Sequence, residues 1–426
     1  MLIIQYNQQL ILGLSAIMHY HGRYIQDLLE GDISRNKIRI VFGARQTGKT
    51  VLMKNVLPEK QTVVYNLQDM RLKQQFEKDP TLLRKELSTL PDEITHIGID
   101  EIQKVPELLN ELQFLYDSDK TRFQFFVTGS SARKLRMHSA NLLPGRSHIF
   151  HLFPVSLPEV DSYAGTSTGT GFQRKKLTSP FPALSLERNL LFGSLPVLWN
   201  ENDKAAQATL DSYVRTYIEE EIRSESLVRN VGVFHNFLRL AAIESGTQLN
   251  LTGLSQESGI PASSIKNFYQ ILADTFIGFW IYPYKHSGRK RLLTTPRFYF
   301  FDIGVRNAVA EISTDRSILN EVGGRLLEEW VGIELFNRSQ YAGRGFSVGF
   351  WRTASGAEVD FIWQSPDEDI PIEVKWTDNP SSRDARHLEL FLDEYLRRCK
   401  RGYIVCRVDR ARQISERITA IPWNEL

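Results

Sequence analysis

Cysteine is almost missing from this chain: Cys399 and Cys406 are the only two in 426 residues. That excludes a disulfide framework and any four-thiolate zinc site, and it points to a reducing compartment such as the cytoplasm. No apolar run approaches the roughly 20 residues that a membrane-spanning helix needs, so no membrane partner is expected. The stretch from Leu10 to Met18 is apolar, but it lacks preceding basic residues and a clear cleavage site, so a signal peptide is not expected. An excess of one charge is lacking too. With 52 Lys and Arg against 50 Asp and Glu, the formal charge of +2 gives no general field for nucleic acid, and any such surface must be local. No internal repeat is evident.

What is present begins with Gly43-Ala44-Arg45-Gln46-Thr47-Gly48-Lys49-Thr50, which matches the phosphate-binding pattern G-x-x-x-x-G-K-[ST]. It follows the apolar run Ile38 to Phe42 and precedes the helical pattern Thr50-Val51-Leu52-Met53. Strand, glycine-rich loop and helix are the context this motif requires, because backbone N–H groups must converge on phosphate at a positive helix N-terminus. Lys49 is expected to reach the β and γ oxygens, and the Thr50 hydroxyl to ligate Mg²⁺.

Some fifty residues on, Thr95-His96-Ile97-Gly98-Ile99 reads as a strand ending in Asp100 and Glu101. Asp100 is the candidate Mg²⁺ holder, through water, and Glu101 the candidate general base for the attacking water. A third apolar run, Phe123 to Val127, leads into Thr128-Gly129-Ser130-Ser131. Ser130 or Thr128 is a candidate for sensing the γ-phosphate or orienting water, with an ordinary β-turn as the alternative. Arg146, after Leu142-Leu143-Pro144-Gly145, is a candidate for neutralising transition-state charge in its own chain or a neighbour's copy, and on that reading assembly as a homo-oligomer would be a means of regulating turnover. A surface ion pair is the alternative.

These motifs, with Ile102-Gln103-Lys104-Val105-Pro106, Leu152-Phe153-Pro154-Val155, Gly193-Ser194-Leu195-Pro196 and Phe301-Asp302-Ile303-Gly304 in order, resemble the prokaryotic AAA-type ATPases fused to a C-terminal domain of unknown function. The resemblance covers nearly the whole chain, from about Tyr20. It implies a cytoplasmic AAA-type ATPase core using ATP and Mg²⁺, a helical and winged-helix middle, and a C-terminal domain similar to PD-(D/E)XK nucleases. Residues before Met18 are then expected to be an extension or a misassigned start. Adenine rather than guanine is carried by the resemblance alone.

Alternation of strand and helix patterns predicts an α/β fold with a parallel sheet. The expected units are an extension and leading helix over 1–35, a P-loop ATPase core over 36–160, and a loop and helical lid over 161–240. A winged helix-turn-helix over 241–301 and a nuclease-like α/β domain over 302–426 follow. Between Asp161 and Pro182 the composition turns to Gly, Ser and Thr with the basic Arg174-Lys175-Lys176, which reads as an exposed loop.

Leu254 to Phe268 has the shape of helix, Gly259 turn and second helix, and two strand-like runs follow, Phe276 to Tyr284 and Arg291 to Phe301. Ser263, Ser264 and Lys266 would lie on a recognition helix, and Lys285, Arg289 and Lys290 on a basic wing tip. DNA contact is one reading, and packing between domains with a solvated wing is the other.

Glu358-Val359-Asp360-Phe361-Ile362-Trp363 and Ile370-Pro371-Ile372-Glu373-Val374-Lys375 read as a β-hairpin. Glu373 and Lys375, two apart, share one strand face, and Asp360 can reach the same spot from the adjoining strand. Asp360 and Glu373 are candidate ligands for Mg²⁺ or Mn²⁺, with Lys375 as the residue that positions or deprotonates water. The resemblance adds Glu328 as the acidic position on the domain's opening helix, while Val359 stands where the family pattern has proline. The expected whole is an ATPase acting on a nucleic-acid-directed C-terminal domain. The alternative is a nucleotide-switched module that contacts a protein partner and cuts nothing.

Overall fold

A computed structural model describes residues 20–31, 37–133, 143–161, 177, 179–218, 231–284 and 295–426. The extension before Met18, the basic Arg174-Lys175-Lys176 cluster and the wing tip from Lys285 to Arg291 fall outside the described residues.

Five short strands build the first sheet: β1 (Ile38–Phe42), β2 (Thr62–Asn66), β3 (His96–Asp100), β4 (Gln124–Gly129) and β5 (Ser147–His151). Their order is β2-β3-β4-β1-β5 and every pairing is parallel. Such a sheet is covered on both faces, so its central strands carry near-continuous apolar runs. All five residues of β1 are accordingly buried. Gly98 in β3 lets the sheet approach a helix closely, since a Cβ there would meet Met53 Sδ at 3.0 Å and Val64 Cγ2 at 3.2 Å. The order brings the carboxyl ends of β1, β4 and β3 side by side, where ligands of open α/β sheets bind.

A helical region follows, with helices Leu186–Phe192, Asp203–Ser212 and Val231–Ile243 among the described residues. Helices Leu251–Ser258 and Ala262–Asp274 then meet at a turn around Gly259, with Ser263 and Lys266 exposed on the second. The run from Phe276 becomes β6 (Gly278–Pro283), which pairs antiparallel with β7 (Arg297–Phe300).

That hairpin corrects the expected boundary at 301/302. β6 and β7 are the last two strands of an eight-stranded mixed sheet, ordered β12-β13-β11-β10-β9-β8-β6-β7. β6 pairs in parallel with β8 (Ser347–Arg352) at Tyr282–Gly349 and Pro283–Phe350. The remaining strands are β9 (Glu358–Gln364), β10 (Asp369–Val374), β11 (Gly402–Cys406), β12 (Arg412–Gln413) and β13 (Ile418–Pro422). The strands read as a wing are therefore the edge of the C-terminal sheet, because strand pairing across long separations leaves no local mark in the sequence.

The long helix Leu319–Ala342 ties the two sheets together, burying Leu326, Trp330, Leu335 and Tyr341. One continuous apolar cluster runs from Ile25 and Leu52 through Tyr269 and Phe298 to Ile421 and Leu426. A second lies on the other face of the parallel sheet, and a third packs helix Arg386–Glu394 on the C-terminal sheet.

Candidate functional site

β1 delivers the chain into the glycine-rich loop, and helix Lys49–Val56 leaves it. Gly43 has no room for a side chain, because a Cβ would lie 2.2 Å from the Leu152 carbonyl oxygen. Gly48 takes φ +96°, the left-handed conformation that glycine adopts without strain, and so opens the helix. Lys49 Nζ donates to the Gly43 and Ala44 carbonyls at 2.9 and 2.8 Å, holding its charge within the loop.

Thr50 Oγ1 donates to Asp100 Oδ2 at 2.8 Å, and Thr128 Oγ1 donates to the other Asp100 oxygen. The two hard oxygen donors expected to share Mg²⁺ are thus in contact, and this pair fits such an ion. Burial pushes the Asp100 carboxyl above its ordinary value, although Thr128 and Thr50 oppose that rise.

Glu101 sits at φ +62°, which is unusual for a residue with a side chain. Its Oε2 accepts from Ser130 Oγ at 2.9 Å and from Gln103 Nε2. Gln103 Nε2 also donates to Ser130 Oγ at 2.7 Å, closing a three-residue ring of polar contacts. Burial raises the Glu101 pKa, but Lys49, Gln103, Ser130 and Arg45 together outweigh it and hold the carboxyl below its ordinary value. An ionised carboxylate next to a lysine-bearing phosphate loop has the protonation state a general base needs.

Arg146 is a correction. Its carbonyl accepts from Ile38 N at 2.9 Å, at the start of β1, whereas the phosphate loop begins after the end of that strand. Five strand residues, about 16 Å, separate the two ends. The guanidinium is paired with Asp117 at 2.7 Å, so in its own chain Arg146 forms the surface ion pair.

Two residues without an expected role support the loop. Arg23 Nη1 donates to the Thr47 carbonyl at 2.7 Å, and its Nε pairs with Glu159 at 2.9 Å. Arg23 is 4% exposed and Glu159 is wholly buried. Gln103 lies two residues after Glu101 inside an already prominent motif, so its spacing was a usable signal. Arg23 and Glu159 stand 136 residues apart, and nothing local links them.

In the C-terminal sheet the expected hairpin forms, with Phe361 opposite Ile372. Asp360 Oδ2 accepts from Val374 N at 2.8 Å, and Lys375 Nζ donates to Glu373 Oε1 at 2.6 Å. Glu328, on the long helix, accepts from Arg297 Nη1 at 3.2 Å, and Arg297 Nη2 also donates to Glu358. The carboxylates feel one another. Burial and then the Asp360 charge push Glu328 and Glu373 each up to about 8. Yet among the described residues no group of three or more His, Cys, Asp or Glu side chains is arranged to hold a metal ion. Arg297, Lys375 and the Val374 amide each engage one oxygen of Glu328, Glu373 and Asp360 in turn, so the residues as arranged do not fit one.

Three family models match successive parts of the chain. Residues 35–160 match the AAA domain, residues 184–316 a domain of unknown function (DUF8612), and residues 323–426 another (DUF4143). An uncharacterized protein of Mycobacterium tuberculosis is 23% identical over 400 residues, 92% of this chain and 82% of that protein. One of Haemophilus influenzae is 22% identical over 403 residues, 90% of this chain and 93% of that protein. Among solved structures, a Walker-type ATPase of Pyrococcus abyssi aligns at TM-score 0.44 and 15% identity, covering 67% of this chain and 94% of that one. No helix among the described residues is long and apolar enough to cross a membrane. The chain carries a AAA-type, P-loop ATPase-like domain on a parallel sheet, followed by two domains of unknown function.

Proposed function

We propose that this protein hydrolyses ATP and that its nucleotide state is passed to the C-terminal sheet through the turn Asp274-Thr275-Phe276. Residues 43–50 would cradle the phosphates, Thr50 and Asp100 would hold Mg²⁺, and that ion would neutralise phosphate charge. Glu101 would take a proton from the attacking water, oriented by Gln103 and Ser130.

One observation carries the coupling. Immediately after the β4 hydroxyls, Ala132 N donates to the Asp274 carbonyl at 3.3 Å and Arg133 Nη1 pairs with Asp274 Oδ2 at 3.2 Å. Two residues on, Phe276 stacks at 5.5 Å on Phe42, the residue that precedes the phosphate loop. Phe276 has φ +59°, a costly conformation for an aromatic residue, and it leads directly into β6. Residues that adjoin the groups expected to sense the γ-phosphate thus touch the segment that enters the C-terminal sheet.

Hydrogen exchange tests this reading. In Glu101→Gln, which should trap ATP, residues 270–301 should change protection relative to the nucleotide-free protein. The change should vanish in Glu101→Gln combined with Phe276→Ala. Identical exchange with and without ATP in this segment would refute the coupling.

A second reading is metal-dependent cleavage of nucleic acid by the C-terminal domain, for which Asp360, Glu373 and Glu328 would have to rearrange to hold Mg²⁺ or Mn²⁺, and Lys375 would position or deprotonate the water. It is favoured by Glu373 Oε2, a buried carboxylate oxygen with no hydrogen-bond partner. Cleavage of single- and double-stranded DNA and RNA with Mn²⁺, abolished by Lys375→Ala in a protein of unchanged melting temperature, is the expected outcome. Absence of cleavage would leave the nucleotide-switched module, which contacts a protein partner. Under either reading, removing Lys285, Arg289, Lys290 and Arg291 together should flatten the salt dependence of any DNA binding by roughly 0.9 per lost phosphate contact.

A further inference from the structure

We propose that Tyr213 is a positioning residue for the phosphate loop: reaching in from the helical region, its hydroxyl turns the Arg45–Gln46 peptide so that the Gln46 N–H faces the phosphates. The inference rests on the reading that residues 43–50 cradle the phosphates of ATP, and it makes the fit of that loop depend on how the helical region is seated.

Helix Asp203–Ser212 runs without a break into a π-helical turn, Tyr213–Ile218. Such turns are rare and occur frequently at functional sites. Tyr213, at its start, is 2% exposed. Its hydroxyl donates to the Arg45 carbonyl at 3.2 Å, across a separation of 168 residues. The ring centroid lies 6.2 Å from that of Phe301, and Phe301 N bonds to the Ile277 carbonyl at 3.1 Å. The residue that holds the loop is thus backed by the segment that follows Phe276.

The loop has a conformation that needs holding. Gln46 takes φ +62°, a left-handed region that a residue with a side chain enters only at a cost. Gln46 Oε1 is buried without a hydrogen-bond partner, so that atom offers no compensation. Two donors from outside the loop flank the strained residue: Tyr213 on the Arg45 carbonyl, and Arg23 Nη1 on the Thr47 carbonyl at 2.7 Å. The C=O and N–H of a trans peptide point in opposite directions. A carbonyl held by Tyr213 therefore sends the Gln46 N–H away from Tyr213, and one held by Arg23 sends the Gly48 N–H away from Arg23. Among the described residues neither N–H donates to a protein acceptor. Left-handed residues in such a turn, here Gln46 and Gly48, gather N–H groups into an anion-binding concavity.

The test is ATP binding and turnover by the full-length chain, comparing Tyr213→Phe with wild type and repeating the comparison in a Gln46→Gly background. Tyr213→Phe removes one oxygen and keeps the ring beside Phe301. It should raise the dissociation constant for ATP about fourfold, about 0.8 kcal/mol, and raise KM in proportion with kcat unchanged. Glycine adopts a positive φ without strain, so in Gln46→Gly the same change should weaken binding less than about twofold. An unchanged dissociation constant in Tyr213→Phe overturns the proposal, and so does an equal loss in both backgrounds or a fall in kcat alone. Failure of the wild type to bind ATP would instead overturn the phosphate-cradle reading, and the proposal with it. Should Gln46→Gly bind too weakly to compare, hydrogen exchange over residues 43–50 decides. Faster exchange in nucleotide-free Tyr213→Phe than in wild type supports the proposal, and identical exchange overturns it.

Discussion

Replacing Arg23 with methionine isolates a buried ion pair whose partners all belong to the frame of the phosphate loop. The guanidinium donates to Glu159 Oε1 at 2.9 Å and Oε2 at 3.3 Å, to the Thr47 carbonyl at 2.7 Å and to the Phe153 carbonyl at 2.6 Å. Removing one member of a buried pair typically costs about 3–5 kcal/mol, because the other charge is left without compensation. Glu159 keeps donors from Tyr24 N at 2.8 Å and Ser156 N at 2.9 Å, which argues for the lower end, about 3 kcal/mol. Urea denaturation of Arg23→Met, Glu159→Gln and the double variant should therefore give a coupling of about 1–3 kcal/mol. The Thr47 peptide would also lose a charge-assisted bond next to Gly48. If about 1 kcal/mol of loop ordering is lost, the dissociation constant for ATP rises about fivefold. A variant within about 1 kcal/mol of wild type, with unchanged ATP affinity, would refute the assignment of Arg23 to the loop frame.

Lys49→Ala should abolish productive ATP binding, whereas Glu101→Gln should bind ATP and fail to hydrolyse it. Equilibrium binding of a fluorescent ATP analogue with a phosphate-release assay separates them, and turnover by Glu101→Gln would remove the base role. Gln103→Leu should lower kcat with little change in KM, since Gln103 touches Glu101 and not the loop; a change confined to KM would contradict that. Burial raises Asp302 from 3.8 to about 6, although the amides of Ser194, Val305 and Gly304 oppose it. Between about pH 4 and 6 the folded protein therefore holds a proton that the unfolded chain has released, and stability falls as pH rises through that window. Roughly two units correspond to about 3 kcal/mol, and Asp302→Asn should remove this slope from pH-dependent denaturation curves.

The phosphate site was legible because its information is local. Eight consecutive residues ending in Thr50 set the loop, and the ends of two strands set Asp100, Glu101 and Ser130 near it, with Thr50 bonded to Asp100 and Ser130 to Glu101. As a candidate within its own chain Arg146 misled, because a strand has two ends and the sequence does not say which one faces the loop. Knowing that β5 runs parallel to β1 would have placed Arg146 at the far end. Arg23 was invisible for the opposite reason. Its partners Thr47, Phe153 and Glu159 lie 24, 130 and 136 residues away, and an arginine in a polar segment ordinarily reads as surface.

β6 belongs to the C-terminal sheet and begins four residues after Asp274, where helix Ala262–Asp274 ends and meets Ala132 and Arg133. Ala132 and Arg133 meet Asp274, and Thr275, itself buried, ties the helix end through bonds to the Ile271 carbonyl. Ile277 N bonds to the Leu272 carbonyl and Phe301 N to the Ile277 carbonyl, so the helix end, β6 and the end of β7 form one hydrogen-bonded unit. The far strand of this unit, β7, carries Arg297. The long helix bearing Glu328 is anchored independently to the ATPase side, through Glu334 on the Leu157 amide at 3.1 Å and Tyr341 on the Phe153 amide at 3.3 Å. Two elements fixed to different parts of the nucleotide domain thus meet at the Arg297–Glu328 pair. Under the proposed coupling, motion of one relative to the other would alter that contact.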